Sequence, residues 1–282
     1  MEKPKRALRR ALLLVLTAAA LSADSRWHLL LSGVSLRFPA LPPALEGYRI
    51  VLLSDLHGAR FGRENRRLAE AVLAQQPDLI ALTGDFADGL EQLGATDELL
   101  RQLQGAAPIA WVSGSHDRAG GALPALRRLL DQYGVLRMEN RYLPLLWNGA
   151  RLILAGVEDP DGPEDMIRPE ELAAQLRADY PDDFVLWLAH RNNWVRKAPA
   201  LPVDLILCGH AHGGIIRLPL IGGLLGTGRR FGEDFEAGVY RGERFLMLVS
   251  RGLGSASPVP RLFNRPEIAV ISLHSGRSRR IE

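Results

Sequence analysis

Five of the seven histidines stand beside glycines or carboxylates directly after short apolar runs, company that a divalent metal ion would choose. They fall in Asp55-Leu56-His57, in Gly114-Ser115-His116-Asp117, at His190, and in Gly209-His210-Ala211-His212-Gly213-Gly214. Gly84-Asp85 adds a carboxylate between the first two clusters. Mixed imidazole and carboxylate donors suit Mn, Fe, Zn or Co rather than Ca. The economical reading of these clusters is a metal-dependent hydrolase.

The stretches that would position them are Ile50 to Ser54, Leu79 to Thr83, Ile109 to Ser113, Phe184 to Ala189 and Leu205 to Cys208. Continuous apolar runs of that length, ending in Gly or polar residues, are what buried strands look like. Ligands at the carboxyl ends of several such strands converge on one crevice in an open α/β sheet. Between them, Glu64 to Gln76 spaces Leu68, Val72 and Leu73 as an amphipathic helix, and Leu90 to Leu103 and Leu123 to Tyr133 read as further helices. Pro169 to Tyr180 reads as another, with Pro169 in the first turn and Glu170 and Glu171 favouring its N-terminus. Phe245 to Ser250 and Ile268 to Leu273 return to strand character. Ile215 to Phe231 mixes apolar residues with Pro219 and glycines, and reads either as a buried connector or as an apolar flap that admits a lipid. A chain of 282 residues, 47% hydrophobic, can bury one sizeable core.

Charge and cysteine usage exclude some functions. Residues 1–10 carry a balance of +4 and residues 277–282 one of +2, which leaves the body of this formally +3 chain near −3. A nucleic-acid binder needs a basic patch on the folded domain, and the basic residues here are concentrated at the ends. The single cysteine, Cys208, excludes an intramolecular disulfide and reads as a buried strand residue. The basic start followed by the apolar run Ala11 to Ala23 makes residues 1–34 a signal peptide or N-terminal membrane anchor, with Trp27 to Val34 at the interface. Either way the positive end stays in the cytoplasm and the body lies outside it.

Taken together and in order, Asp55/His57, Gly84-Asp85, Gly114-Ser115-His116-Asp117, His190 and Gly209-His210-Ala211-His212 resemble the motif set of the calcineurin-like metallophosphoesterases. The resemblance covers roughly residues 46–275, followed by a basic tail, 276–282. It looks strongest to the bacterial membrane-associated branch similar to UDP-diacylglucosamine diphosphatases, through Leu53-Ser54-Asp55-Leu56-His57, His210-Ala211-His212-Gly213-Gly214, Ser250-Arg251-Gly252-Leu253-Gly254 and Arg265-Pro266-Glu267-Ile268. That resemblance implies an α/β fold of two sheets in a sandwich flanked by helices. It implies two divalent metal ions, with Asp85 bridging, Asp55, His57 and His212 on one, and His190 and His210 on the other. It makes His116 a histidine that binds no metal and either gives a proton to the leaving oxygen or stabilises the transferring phosphoryl group, with Asp117 placed to orient its other ring nitrogen. The implied substrate is a phosphodiester or pyrophosphate, including a lipid-linked one at a bacterial cell membrane.

Two positions depart from the family pattern. Ser115 stands where the family has an asparagine ligand to the second metal, and Arg191-Asn192-Asn193-Trp194 stands where the branch has Asn-Pro. These departures define an alternative of a different class, a non-catalytic metal- or lipid-binding scaffold, against which the retained His116, His210 and His212 argue. Asp88 reads as a loop or capping carboxylate, Asp159 and Asp161 as solvated turn residues, and His28 and His274 as bystanders.

Overall fold

Period-two alternation inside the apolar runs explains how they fold. In Arg49–Leu53, Ile50 and Leu52 face one core while Val51 and Leu53 face another, and all four are buried. Each such strand is therefore covered on both faces. The computed structural model describes residues 24–163, 166–218, 221–225, 234–257 and 259–276.

Among the described residues the strands are, in chain order, β1 (Leu30–Phe38), β2 (Arg49–Leu53), β3 (Leu79–Thr83), β4 (Ile109–Val112), β5 (Leu136–Arg137), β6 (Arg141–Trp147), β7 (Ala150–Gly156), β8 (Phe184–Leu188), β9 (Leu205–Cys208), β10 (Ile216–Leu218), β11 (Gly222–Leu225), β12 (Gly238–Arg241), β13 (Leu246–Val249) and β14 (Glu267–Ser275). One six-stranded sheet runs β1-β14-β2-β3-β4-β5 and the other β12-β13-β9-β8-β7-β6. Strands β2 to β5 are mutually parallel, as are β7, β8, β9 and β13, with antiparallel pairing at β14–β2, β6–β7 and β12–β13.

The two sheets pack face to face over a shared core that includes Ile50, Leu52, Ala81, Leu154, Leu186 and Leu207. Helices Arg66–Leu73, Leu93–Leu103 and Leu123–Gln132 cover the outer face of the first sheet. Helix Pro169–Asp179 and the short turn Trp194–Lys197 cover that of the second. This is the expected sandwich of two sheets flanked by helices. Because β2, β3, β4, β8 and β9 all end on the same side, their carboxyl ends meet there.

β1 begins at Leu30 and pairs in parallel with β14 over Leu30↔Glu267 to Phe38↔Ser275, so residues 30–34, the end of the expected leader or anchor segment, lie in the sheet. Ser25 is also buried, its Oγ accepting the Asn264 N–H at 3.3 Å. The apolar run Ala11 to Ala23, which carries the expectation of a signal peptide or anchor, lies outside the described residues, as does the tail after Gly276. No helix among the described residues is long and apolar enough to cross a membrane. Part of the stretch 215–231 forms a two-stranded hairpin, β10–β11, whose Ile221 is 70% exposed.

Candidate metal centre

Each sequence-predicted ligand sits in the first turn after a strand. Asp55 and His57 follow β2, Asp85 follows β3, His116 follows β4, His190 follows β8, and His210 and His212 follow β9. Five of these residues have left-handed backbone: Asp55 (φ 54°), His57 (46°), Asp85 (57°), His210 (68°) and His212 (51°). Non-glycine residues held there cost of order 1 kcal/mol or more each and persist where the surroundings over-determine them, typically at functional sites. Two glycines make room for the ligands. A Cβ on Gly209 would lie 1.9 Å from Ser54 Oγ and 2.4 Å from Asp55 Oδ2, and one on Gly114 would lie 2.2 Å from Asp85 Oδ1.

The expected donors fall into two adjoining groups, Asp55 with His57 and His212, and Asp85 with His190 and His210, while His57 also gathers with Asp88 and His116 in a third. In the first, His57 Nε2 is 3.2 Å from His212 Nε2, which is 3.5 Å from Asp55 Oδ1. In the second, His190 Nε2 is 3.1 Å from His210 Nδ1 and 3.2 Å from Asp85 Oδ2. Atoms bound at about 2.0–2.1 Å to a common ion sit roughly 3 Å from one another, which these spacings match.

Hydrogen bonds behind the rings fix their tautomers. His57 Nδ1 meets Asp88 Oδ1 at 2.5 Å, His190 Nδ1 meets the Thr83 carbonyl at 2.8 Å, and His212 Nδ1 meets the Gly254 carbonyl at 3.2 Å. With Nδ1 turned to an oxygen in each ring, the neutral, metal-binding form of each presents its Nε2 lone pair to the cluster. The His57 and His212 lone pairs then point at each other across 3.2 Å and cannot bond one another. A cation between them resolves that repulsion, so the donor set fits a metal ion.

The electrostatics agree. Burial works against the Asp85 charge, but His190 and His57 outweigh it and hold this carboxyl below the usual carboxylate range. Burial likewise opposes a proton on His190, yet Asp85 pushes its pKa up to about 10. Burial, with the charge of His190, pushes His210 down to about 3, and burial keeps His212 well below the ordinary histidine range. Without an ion, the second group thus holds one proton in the place of positive charge.

His116 differs from the ligands, because its side chain is 46% exposed. Its Nδ1 contacts Asp88 Oδ1 at 3.1 Å, and that bond raises its pKa above the ordinary value. Asp88 therefore holds both His57 and His116, and it is the functional residue the sequence reading passed over. The expected partner, Asp117, is engaged elsewhere. Its two oxygens accept the backbone N–H groups of Asp85 (2.9 Å), Phe86 (2.8 Å), Ala87 (3.1 Å) and Gly114 (2.9 Å). Burial, then the nearby Asp85 charge, pushes the Asp117 pKa up to about 6. Its carboxylate fixes the turn that carries Asp85 and does not orient the His116 ring.

Ser115 opens the short helix Ser115–Ala119, between Gly114 and His116, whose backbone N–H donates to Asp85 Oδ1 at 2.8 Å. That places the serine beside the second group of donors. Asp159 corrects another expectation, since it is buried and receives the Arg191 guanidinium on both oxygens at 2.8 and 3.0 Å. Arg191 also reaches Asp161 at 2.6 Å, so the residue after His190 is anchored by two carboxylates. Cys208 is buried in β9, and His28 and His274 pair with Asp24 and Glu46, away from the site.

Residues 48–214 match the family model described as calcineurin-like phosphoesterase. Among curated proteins, the chain is 28% identical over 246 residues to the uncharacterized metallophosphoesterase YkuE of Bacillus subtilis, covering 83% of this chain and 82% of that one. It is 29% identical over 243 residues to the phosphodiesterase YaeI of Escherichia coli, covering 80% and 82%. Among solved structures, the Haemophilus influenzae NAD nucleotidase NadN shares the fold at a TM-score of 0.50 and 11% identity, over 72% of this chain and 45% of that one. With the family model spanning more than half the sequence and its ligand positions gathered at one crevice, the chain belongs to the calcineurin-like phosphoesterase family and is a metal-dependent phosphoester hydrolase.

Proposed function

We propose that this protein hydrolyses phosphodiester or pyrophosphate bonds at a binuclear metal centre bridged by Asp85. The observation that carries the proposal is the position of Asp85 Oδ2, 3.8 Å from His57 Nε2 and 3.2 Å from His190 Nε2, so that one carboxylate faces both groups of donors. Asp55, His57 and His212 would hold one ion, and His190 and His210, with Ser115 beside them, the other. Bound there, the ions would supply positive charge opposite the phosphoryl oxygens and acidify a water molecule.

The chain's own residues supply the rest. His116, exposed and bonded to Asp88 through Nδ1, holds a proton for the departing oxygen. Asp88 holds that ring and His57 on one carboxylate. Asp117 keeps the Asp85 turn rigid through its four N–H bonds. Chelator-treated protein should be inactive toward bis(p-nitrophenyl) phosphate and recover with Mn, Fe, Zn or Co. Undiminished turnover after complete metal removal would refute the proposal.

The substrate we favour is an amphiphilic phosphoester at a bacterial membrane, with the catalytic domain outside the cytoplasm. Support comes from the basic-then-apolar order of residues 1–23, which orients an inserted segment with its positive end inside, and from the exposed Ile221 on the hairpin beside the site. Recovery of the full-length protein from the soluble cytoplasmic fraction would contradict the location.

A further inference from the structure

A cavity of about 420 Å³ opens directly beside the first group of donors, with His57 in its wall. Its volume is in the range of pockets that bury small organic ligands, roughly 300–1,000 Å³. One side is built from the segment just past Asp55 and His57, including Ala59 and Phe61, and the opposite side from the loop that carries Leu253, Val259 and Pro260. The third side comes from Arg26 and Trp27, which lie well before residue 48, where the family match begins.

The walls are built to stay in place. Buried Arg261 donates to the carbonyls of Asn264 (2.9 Å), Gly254 (2.8 Å) and Arg251 (2.8 Å), tying down the loop. The Gly254 carbonyl also receives His212 Nδ1, so the cavity wall and a metal ligand share one oxygen. The N-terminal turn is pinned by Ser25 to Asn264 and by the Asp24–Arg265 pair at 2.8 Å. Trp27 nonetheless keeps 46% of its surface exposed, and Leu31, four residues on, 48%. Arg26 lies 5.0 Å from the Trp27 ring, and no carboxylate among the described residues pairs with it.

From this we propose that Trp27 and Arg26 are specificity-determining residues, forming the wall of a subsite that receives an alkyl arm of the substrate. This rests on the phosphoesterase reading above and adds to it where the non-reacting arm goes. Of the polar side chains in the lining, Arg60 is held by Glu98, Arg261 by backbone carbonyls, and Ser255 and Ser257 each accept a backbone N–H, whereas Trp27, Val259 and Pro260, over the buried Phe61 and Leu253, offer apolar contact. Arg26 and Trp27 follow closely on the apolar run ending at Ala23, and an arginine beside an aromatic ring suits an anionic interface.

The test compares p-nitrophenyl phosphodiesters whose second ester arm is methyl, octyl or thymidine, on the metal-loaded full-length protein. Each methylene buried is worth about a fourfold gain in kcat/KM. The wild type should therefore favour the octyl over the methyl ester by at least tens of fold, mainly through KM. Trp27→Ala should cut that ratio about tenfold or more, and Trp27→Phe should restore most of it. The ratio is read because a merely structural defect would lower both esters alike. Equal kcat/KM for methyl and octyl esters, a preference for the thymidine ester, or an unchanged ratio in Trp27→Ala would overturn the inference while leaving the hydrolase intact. No turnover of any ester by metal-loaded protein would overturn the hydrolase reading and this inference with it.

Discussion

Replacing Asp88 by Asn tests the most unexpected part of the site. Its carboxylate contacts His57 Nδ1 at 2.5 Å and His116 Nδ1 at 3.1 Å, so one charge serves both the proposed metal ligand and the proposed proton donor. A hydrogen bond to a charged group contributes about 1.5–3 kcal/mol, which converts to roughly 10- to 150-fold. Removing carboxylates that back metal-ligating histidines costs a comparable 10–100-fold in affinity or activity. Asp88→Asn should therefore lower kcat/KM on bis(p-nitrophenyl) phosphate by about 10–100-fold and weaken metal binding at the group containing His57. The pH profile distinguishes this from general damage. The Asp88 bond raises the His116 pKa, and a protonated His116 loses its function as pH rises through that value. Without Asp88 the alkaline limb should move to lower pH. Wild-type metal affinity together with an unmoved alkaline limb would refute the reasoning.

Further outcomes follow from neighbouring residues. Asp117→Asn cannot serve four backbone N–H groups with two anionic oxygens, so it should lower unfolding free energy by at least about 2 kcal/mol in denaturant titrations, and an unchanged midpoint would argue against that role. Ser115→Asn lengthens a neutral oxygen donor beside the second group and should lower the metal concentration for half-maximal activity by roughly 10–100-fold, whereas an identical titration would show that Ser115 does not limit binding. His190, with its pKa pushed up to about 10 in the metal-free chain, must give up a proton when an ion binds, so affinity should rise with pH until that value is passed. Calorimetry in buffers of different ionisation enthalpy would read that proton directly. The same raised pKa gives the metal-free chain stability that is fully present below the ordinary histidine value and is lost as pH rises through about 10.

Strand positions were legible because β2, β3, β4, β8 and β9 are continuous apolar runs, and the candidate ligands were legible because each follows one of them. The two-sheet layering was not separately legible, because a run buried on both faces looks alike whichever core each side chain meets. β1 was hidden because its alternation, with Leu36 and Phe38 buried and Leu31 exposed, continues from an apolar leader-like segment. The β6–β7 hairpin carries a usable signal that was missed, Asn148-Gly149, both with positive φ, between strands that alternate in exposure. Asp88 and Asp159 were misjudged for one reason. Their partners His57 and Arg191 lie 31 and 32 residues away in the chain, and only the folded sheet ends bring them together.

The account stands most directly on Asp85. Metal content by plasma mass spectrometry, measured alongside turnover of bis(p-nitrophenyl) phosphate, should give two ions per wild-type chain at full activity. Asp85→Asn, correctly folded by circular dichroism, should hold fewer than two ions and turn over no substrate. Near-wild-type turnover by Asp85→Asn, or full wild-type activity with a single ion per chain, would contradict the bridged binuclear centre.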